Sequence, residues 1–366
     1  MVSNISTLAQ STILIRRMME MQAEMARVQK QIASGKKAET YSELGTEART
    51  SLYLQASRAS IETISNANAV TKVRMDAIQA ALLRLSEIAS ELRDKARVAT
   101  TGVGQPADSG NEVLRAIAAS RLNEVTTILN TQVDGVYLFA GRKFDTPPMP
   151  PPGAVGEANT PLDNVALLDT DYPLDNTSAS GVNRYAAITK HLDASATAPP
   201  GWPPTAPSPA SAATPYYYQG EIGPDARLSA TIDIGFTIEY GINAIDSAVQ
   251  ALLRGLYALA TTDLTTATDA GFRALADLAA DDLDKAFKEL NAESANLGVQ
   301  QATLRDVTTK HYNTLTLLTE QIIGVEDLGE AGMAEAVARM TQMQTNLEAS
   351  YRLIASLKSL TLATLL

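Results

Sequence analysis

The sequence predicts a mainly α protein with a β-containing insert. The expected architecture is an elongated antiparallel helical bundle or coiled coil formed by N- and C-terminal arms, plus a small outer α+β or β domain. Three observations carry this reading. Both ends of the chain hold apolar residues spaced alternately three and four apart. Fourteen of the sixteen prolines lie between Pro147 and Pro215, and none follows Pro224. Directly after that proline-rich stretch, Leu228, Ala230, Ile232, Ile234, Phe236, Ile238, Tyr240 and Ile242 alternate with period two.

The N-terminal stripe is Ser11, Leu14, Met18, Met21, Met25, Val28 and Ile32. A helix with such a stripe cannot bury it alone and needs a partner helix. One helix is expected over 1–34, capped near Ser6 or Thr7 and stopped at Ser34-Gly35, with residues 35–50 irregular. From Ile61 a longer stripe runs through Ile64, Asn68, Thr71, Met75, Ile78, Leu82, Leu85, Ala89, Leu92, Ala96 and Ala99. This spans a rod of roughly 58 Å at 1.5 Å per residue. A break at Gly102, Gly104 and Pro106 precedes a helix over about 108–132, with Val113, Ile117, Leu122, Val125 and Leu129 on its apolar face. Gly135 to Gly141 reads as a short apolar strand between glycines.

Proline removes a backbone donor and blocks helices, so the proline-rich region reads as loops and edge strands. Pro147–Pro152 and Pro199–Pro209 read as stiff exposed connectors. The alternating run from Leu228 marks a half-buried β element, and Asp233-Ile234-Gly235 suits a hairpin turn. Helix returns over about 243–260 and again from about 265. Leu290, Leu297, Leu304 and Leu318 recur at heptad spacing, with His311 in the remaining slot. A loop from Gly324 to Gly332 leads to a last helix over 333–362, whose stripe is Met340, Met343, Leu347, Ile354 and Leu357 with Ser350 as a polar gap.

The expected organisation is therefore an N-terminal assembly helix over 1–34 and a helical shaft of 35–134 with 265–332. A proline-rich β-containing outer domain with one helix occupies 135–264, and a C-terminal assembly helix 333–366. The expected assembly interface is Leu14, Met18, Met21, Met25, Val28 and Ile32 with Met340, Met343, Leu347, Ile354 and Leu357. The expected shaft core is Ile64, Ile78, Leu82, Leu85, Leu92, Leu290, Leu297, Leu304 and Leu318. The terminal helices are expected to order on assembly, because partners within the chain are not guaranteed at its ends.

Composition narrows the function. A formal net charge of -11 argues against nucleic-acid binding, which needs a basic stripe. The same charge suits a soluble monomer that repels its copies. Aromatic residues make up only 5% of the chain, as expected where Ala, Leu, Ile and Met pack helix on helix. The absence of cysteine removes disulfides and thiolate metal sites. No stretch approaches the eighteen apolar residues of a membrane span. Arg16 and Arg17 follow the run Ile13-Leu14-Ile15, the reverse of a cleavable signal. This leaves a cytoplasmic protein or export with an intact N-terminus.

No catalytic or metal site and no cofactor is expected. His191 and His311 have no triad partners around them. Asp277, Asp281, Asp282 and Asp284 lack the spacing and central glycine of a calcium loop, and read as a solvated helix face. Ser34-Gly35-Lys36 follows a helix rather than a strand and lacks the earlier glycine of a phosphate loop. Eight of the ten methionines lie in 1–25 or 333–343. Such flexible side chains fill helical cores and also re-pack readily against neighbours.

Several segments taken in order resemble the flagellin superfamily, within it the branch that joins hook to filament. Ile5-Ser6-Thr7-Leu8 with Ile32-Ala33-Ser34-Gly35-Lys36 looks like the family's first helix and its stop. Asp134-Gly135-Val136-Tyr137-Leu138-Phe139-Ala140-Gly141 is similar to the glycine-bounded strand of the junction branch, as are Tyr218-Gln219-Gly220-Glu221 and Tyr240-Gly241-Ile242. Leu347-Glu348-Ala349-Ser350-Tyr351 through Leu360 to Leu366 looks like its last helix. The likeness covers roughly 1–145 and 216–366, while residues 146–215 match no pattern. Where many relatives carry an Asp-Asp pair, this chain has Tyr41-Ser42-Glu43-Leu44-Gly45, so no role of that pair carries over.

The resemblance implies a structural, non-enzymatic subunit of the extracellular bacterial flagellum. Its partners would be other axial proteins (the junction neighbour on the hook side and flagellin on the filament side), copies of itself and an export chaperone. It also implies export through the flagellar type III apparatus without a cleaved signal peptide. The alternatives are a flagellin that forms the filament itself, or a secreted scaffold whose insert at 146–215, with Trp202 and Tyr216-Tyr217-Tyr218, binds a ligand or carries an activity.

Overall fold

The structure, a computed structural model, describes residues 2–101, 107–149, 174, 177–192, 218, 227–261 and 269–363. It is mainly α with a small strand-containing insert. The helices are α1 Val2–Ser34, α2 Ala48–Thr101, α3 Ala107–Leu129, α4 Ser178–Leu192, α5 Ser247–Ala260, α6 Asp269–Glu326 and α7 Gly329–Ala363. The strands are β1 Gln132–Val133, β2 Val136–Tyr137, β3 Leu228–Asp233 and β4 Phe236–Tyr240. The chain forms two compact units, residues 64–308 and residues 1–63 with 309–366.

In the unit of residues 64–308, α2 and α6 run antiparallel. Gln79 donates to Ser294 (2.5 Å), and Arg93 and Arg97 reach Asp284 and Asp281 (3.1 and 3.4 Å). Pairs that descend along one helix and climb along the other set the register. Arg93 also lies over the Phe287 ring, 5.1 Å from its centroid. The core joins Ile78, Leu82, Leu85 and Leu92 of α2 to Leu114, Leu122, Val125 and Leu129 of α3 and to Leu275, Leu283, Leu290, Leu297 and Leu304 of α6. Most of α5 is buried in this core, and its polar residues Ser247, Gln250 and Arg254 share one face, from which Ser247 and Arg254 reach Glu289 and Asp282. Gly255 permits that enclosure, because an added Cβ would stand 2.6 Å from Cγ of Leu283.

The polar residues in the α2 stripe have hydrogen-bond partners. Asn68 is buried and its side-chain amide donates to the Ile232 carbonyl of β3 at 2.9 Å. Thr71 donates back to the Ala67 carbonyl, a usual outlet for a helical threonine. The expected hairpin is present: β3 and β4 pair antiparallel around Ile234-Gly235, with a bulge at Thr231/Asp233 and Gly235 at φ +74°.

Four expectations are corrected. The strand expected over Gly135–Gly141 is confined to Val136–Tyr137, which pairs with Gln132–Val133 around Asp134 and Gly135, both at positive φ. Phe139 is instead held by single bonds, its carbonyl accepting from the Ala244 amide at 3.0 Å. The second helix starts at Ala48, not Ile61, because Leu54 already finds an apolar seat with Leu318 and Ile322. The loop expected over 324–332 shrinks to Asp327-Leu328, since α6 continues to Glu326 and α7 begins at Gly329.

The fourth correction is α4, a helix inside the region read as loops and edge strands. Pro173 and Pro199 flank a proline-free segment long enough for four turns. Arg184 donates to the Thr261 carbonyl (2.8 Å) just beyond α5, satisfying a group at that helix's C-terminus. The Tyr185 hydroxyl bonds Asp282, whose carboxylate also takes two bonds from Arg254 (2.7 and 3.2 Å). Burial, reinforced by the Asp282 charge, pushes the Tyr185 phenol well above its ordinary range. Gly181 lies so close to α6 that a Cβ there would stand 2.1 Å from the Gly271 carbonyl oxygen. The breaks and connectors expected at Gly102, Gly104, Pro106 and Pro199–Pro209, and most of 146–215 with Trp202, Tyr216 and Tyr217, fall outside the described residues.

Candidate assembly interface

The unit of residues 1–63 with 309–366 is organised around the pairing of α1 with α7. Each helix brings a stripe that water does not tolerate, and each stripe covers the other. Val28, Ala336 and Met343 form a buried cluster, with Met25, Ile32 and Met340 packed against it. Gln22 donates to the Tyr351 hydroxyl at 2.8 Å, which makes the pair antiparallel. Met18 and Leu347 are also buried, while Leu14, Met21 and Ile354 are half-buried. The side chains of Ser11 and Leu357 lie outside those described.

Of the residues expected at an assembly interface, Met25, Val28, Ile32, Met340 and Met343 pack together between α1 and α7. A second set on the same helices faces solvent. Met19 is 64% exposed, Leu353 and Tyr351 each 51%, and Ile13, Ile15 and Val337 are exposed as well. The heptad pattern did not flag these residues, because it selects one stripe per helix. Around them, Arg27 grips Glu24 (2.6 Å) and Arg339 grips Glu335 (2.9 Å) along their own helices. The Arg27 hydrogen bond holds the Glu24 carboxyl below the usual carboxylate range.

A second apolar cluster of this unit joins α2 to α6. It comprises Leu54, Leu318 and Ile322, with Ile61 and Val325 beside them. His311 is buried in its heptad slot. Between the two clusters the connectors meet in a polar joint. The Leu328 amide donates to the Gly35 carbonyl (2.9 Å), and the Lys37 amide to that of Glu326 (2.7 Å). Gly35 at φ +74° ends α1 with its amide on the Gln31 carbonyl, and Gly329 at φ +61° opens α7.

Of the residues expected in the shaft core, Ile78, Leu82, Leu85, Leu92, Leu290, Leu297 and Leu304 are buried in the unit of residues 64–308, and Ile64 is half-buried there. Leu318 is buried in the other unit. The acidic residues of the predicted α6 face are held by arginines and Lys288 at Asp281, Asp282 and Asp284. Among the described residues no group of His, Cys, Asp and Glu is arranged to hold a metal, and no helix is long and apolar enough to cross a membrane.

The family model for the bacterial flagellin N-terminal helical region matches residues 5–143, and that for the bacterial flagellin C-terminal helical region matches residues 280–366. Together they take in more than half of the chain. A solved structure from Vibrio parahaemolyticus, provisionally named a flagellar hook-associated protein, is 13% identical at a TM-score of 0.49, covering 76% of this chain and 96% of its own. No curated protein sequence matches.

Proposed function

We propose, from the premise that this chain belongs to the flagellin superfamily, that it is an adapter subunit joining hook to filament, the role of hook-associated protein 3. Membership itself makes the chain a structural, non-enzymatic component of the bacterial flagellum, an extracellular appendage of motility. It also makes self-assembly and contact with other axial proteins its business.

The observation that carries the junction role is the segment Asp134–Gly141 with Tyr240-Gly241-Ile242, which resembles the junction branch in sequence. The two pieces are tied in space. The Phe139 carbonyl accepts from the amide of Ala244, two residues beyond Ile242, at 3.0 Å. A filament-forming flagellin is the second reading, favoured by the two matched helical regions.

In this reading α1 and α7 act as one two-helix unit. Leu14, Met18, Met21, Met25, Val28 and Ile32 close it against Met340, Met343, Leu347 and Ile354. The exposed Ile15, Met19, Val337 and Leu353 then meet neighbouring subunits. Burying four such side chains at about 1.5–3 kcal/mol each supplies roughly 6–12 kcal/mol gross per subunit. Ordering entropy offsets much of it, so assembly is cooperative. The neighbours are the junction protein on the hook side and flagellin on the filament side. Export proceeds through the flagellar type III apparatus with the N-terminus uncleaved, and a chaperone covers α7 beforehand.

Gold-tagged antibody against residues 150–215, viewed on intact flagella by electron microscopy, tests the role. A single band where hook meets filament is expected. Label along the whole filament would replace the adapter with a flagellin.

A further inference from the structure

One carboxylate sits at the centre of the polar joint between the two apolar clusters of the 1–63/309–366 unit. Glu326, the last residue of α6, accepts from Ser51 (2.6 Å) and from the Gln55 amide, both on α2, through Oε1. Its Oε2 faces the Lys36 ammonium at 3.6 Å. Its carbonyl receives the Lys37 amide, and Lys37 extends its own ammonium to the Gly324 carbonyl at 2.9 Å and to Glu47 at 3.4 Å. Lys36 and Asp327 form an isolated antiparallel bridge. The Glu326 side chain thus ties the end of α6 to α2 and to the connector after α1, beside the backbone bonds from Lys37 and Leu328.

The arrangement is that of a fastener. On one side of it Val28, Ala336 and Met343 hold α1 to α7, and on the other Leu54, Leu318 and Ile322 hold α2 to α6. Each pair is closed by its own apolar cluster, so neither needs the joint in order to stay paired. The connector between α1 and α2 is largely exposed, with Ala38 its one buried apolar residue. Segments with few buried contacts and exposed backbone bonds are where proteins open locally. Gly35 at the end of α1 and Gly329 at the start of α7 both take positive φ, a conformation open chiefly to glycine.

We propose that Glu326 is a latch that fixes the α1–α7 pair in one orientation on the adjoining ends of α2 and α6, and that its release lets the pair swing as an intact body. The device separates two properties, the pairing of the terminal helices and the direction in which they point. A subunit with the latch closed presents Met19 and Leu353 in one place. With it open, the same residues sample many.

The absence of cysteine allows spin labels to be placed without background. In full-length monomer, one nitroxide pair at the exposed positions Gln29 and Ser60 reads α1 against α2, and another at Gln29 and Ala338 reads α1 against α7. The expected result is a single narrow Gln29–Ser60 distance that Glu326→Ala and Lys36→Ala each lose, while the Gln29–Ala338 distance stays narrow. Glu326→Gln should broaden it less than Glu326→Ala, since the amide oxygen still accepts from Ser51 and Gln55. An unchanged Gln29–Ser60 distance in Glu326→Ala overturns the latch. So does simultaneous loss of both distances, because Glu326 would then be ordering the helices and not their joint.

Discussion

The side-chain amide of Gln22 donates to the hydroxyl of Tyr351 at 2.8 Å, across a sequence separation of 329 residues. It marks the outer end of an antiparallel register whose middle is the Val28–Met343 cluster and whose inner end is the Lys36–Asp327 bridge. Two helices from opposite ends of the chain therefore act as one element with two apolar faces. The inner face closes the pair, while Met19, Val337 and Leu353 are exposed to solvent.

Leu347 and Leu353 separate these faces. Leu347 is 6% exposed within the pair, and Leu353 lies on the outer side. Leu347→Asp should cost about 1–3 kcal/mol by placing a charge against apolar neighbours. It should show as early proteolysis of α1 and α7 in the monomer. Leu353→Asp should leave the monomer's protease resistance unchanged and slow assembly sharply. Light scattering of both variants under assembly conditions makes the comparison, and equal protease resistance in the two monomers would contradict the division.

Leu85 occupies a fully buried position in the core of the 64–308 unit. Leu85→Ala should destabilise that unit by about 2–5 kcal/mol, the lost transfer energy plus the cavity left behind. Urea unfolding followed by far-ultraviolet circular dichroism measures it. Protease resistance of α1 and α7 should change much less, since their cluster is separate.

The docking of α4 rests on a glycine and a phenol. Gly181→Ala would bring a Cβ against the Gly271 carbonyl, which is backbone and cannot rotate away. The cost of about 1–3 kcal/mol for overpacking exceeds the helix-propensity gain of at most about 1 kcal/mol. Tyr185→Phe removes a hydrogen bond to the Asp282 carboxylate, worth about 1.5–3 kcal/mol. Chemical denaturation should rank both variants below the wild type, and a stabilised Gly181→Ala would show that the helices can move apart.

How much of this was legible in the sequence depended on whether a residue's partner was near or far. Apolar periodicity marked α1, the buried length of α2, α6 and α7, because one helix face repeats whatever lies opposite. The alternation after Leu228 marked the hairpin for the same reason. The pattern was silent on which stripe covers which, and the α1 and α7 stripes meet each other around Val28 and Met343. It also missed α4, whose place is set by long-range contacts from Arg184 and Tyr185 and whose proline-rich surroundings suggest loops. The start of α2 at Ala48 was hidden because, before Ile61, only Ser51 and Leu54 turn a buried side inward. The joint at Glu326 had no sequence signature, since its ligands are Ser51, Gln55 and Lys36, ordinary polar residues far away in the chain.

That joint should give the 1–63/309–366 unit an acid limb of its own. The Ser51 hydrogen bond, then that from Gln55 and the charge of Lys36, hold the Glu326 carboxyl below the usual carboxylate range. A group whose pKa falls on folding is less protonated in the folded chain than in the unfolded one. Its stabilisation is complete above the ordinary carboxylate pKa, and it fades as the pH drops through that range toward the folded value. Thermal unfolding from pH 7 down to pH 3 should therefore lose more stability in the wild type than in Glu326→Gln, which has no proton to take up there. Protease sensitivity at residues 35–47 should rise over the same interval in the wild type. Parallel acid limbs in the two proteins would mean that the Glu326 charge contributes nothing to the joint.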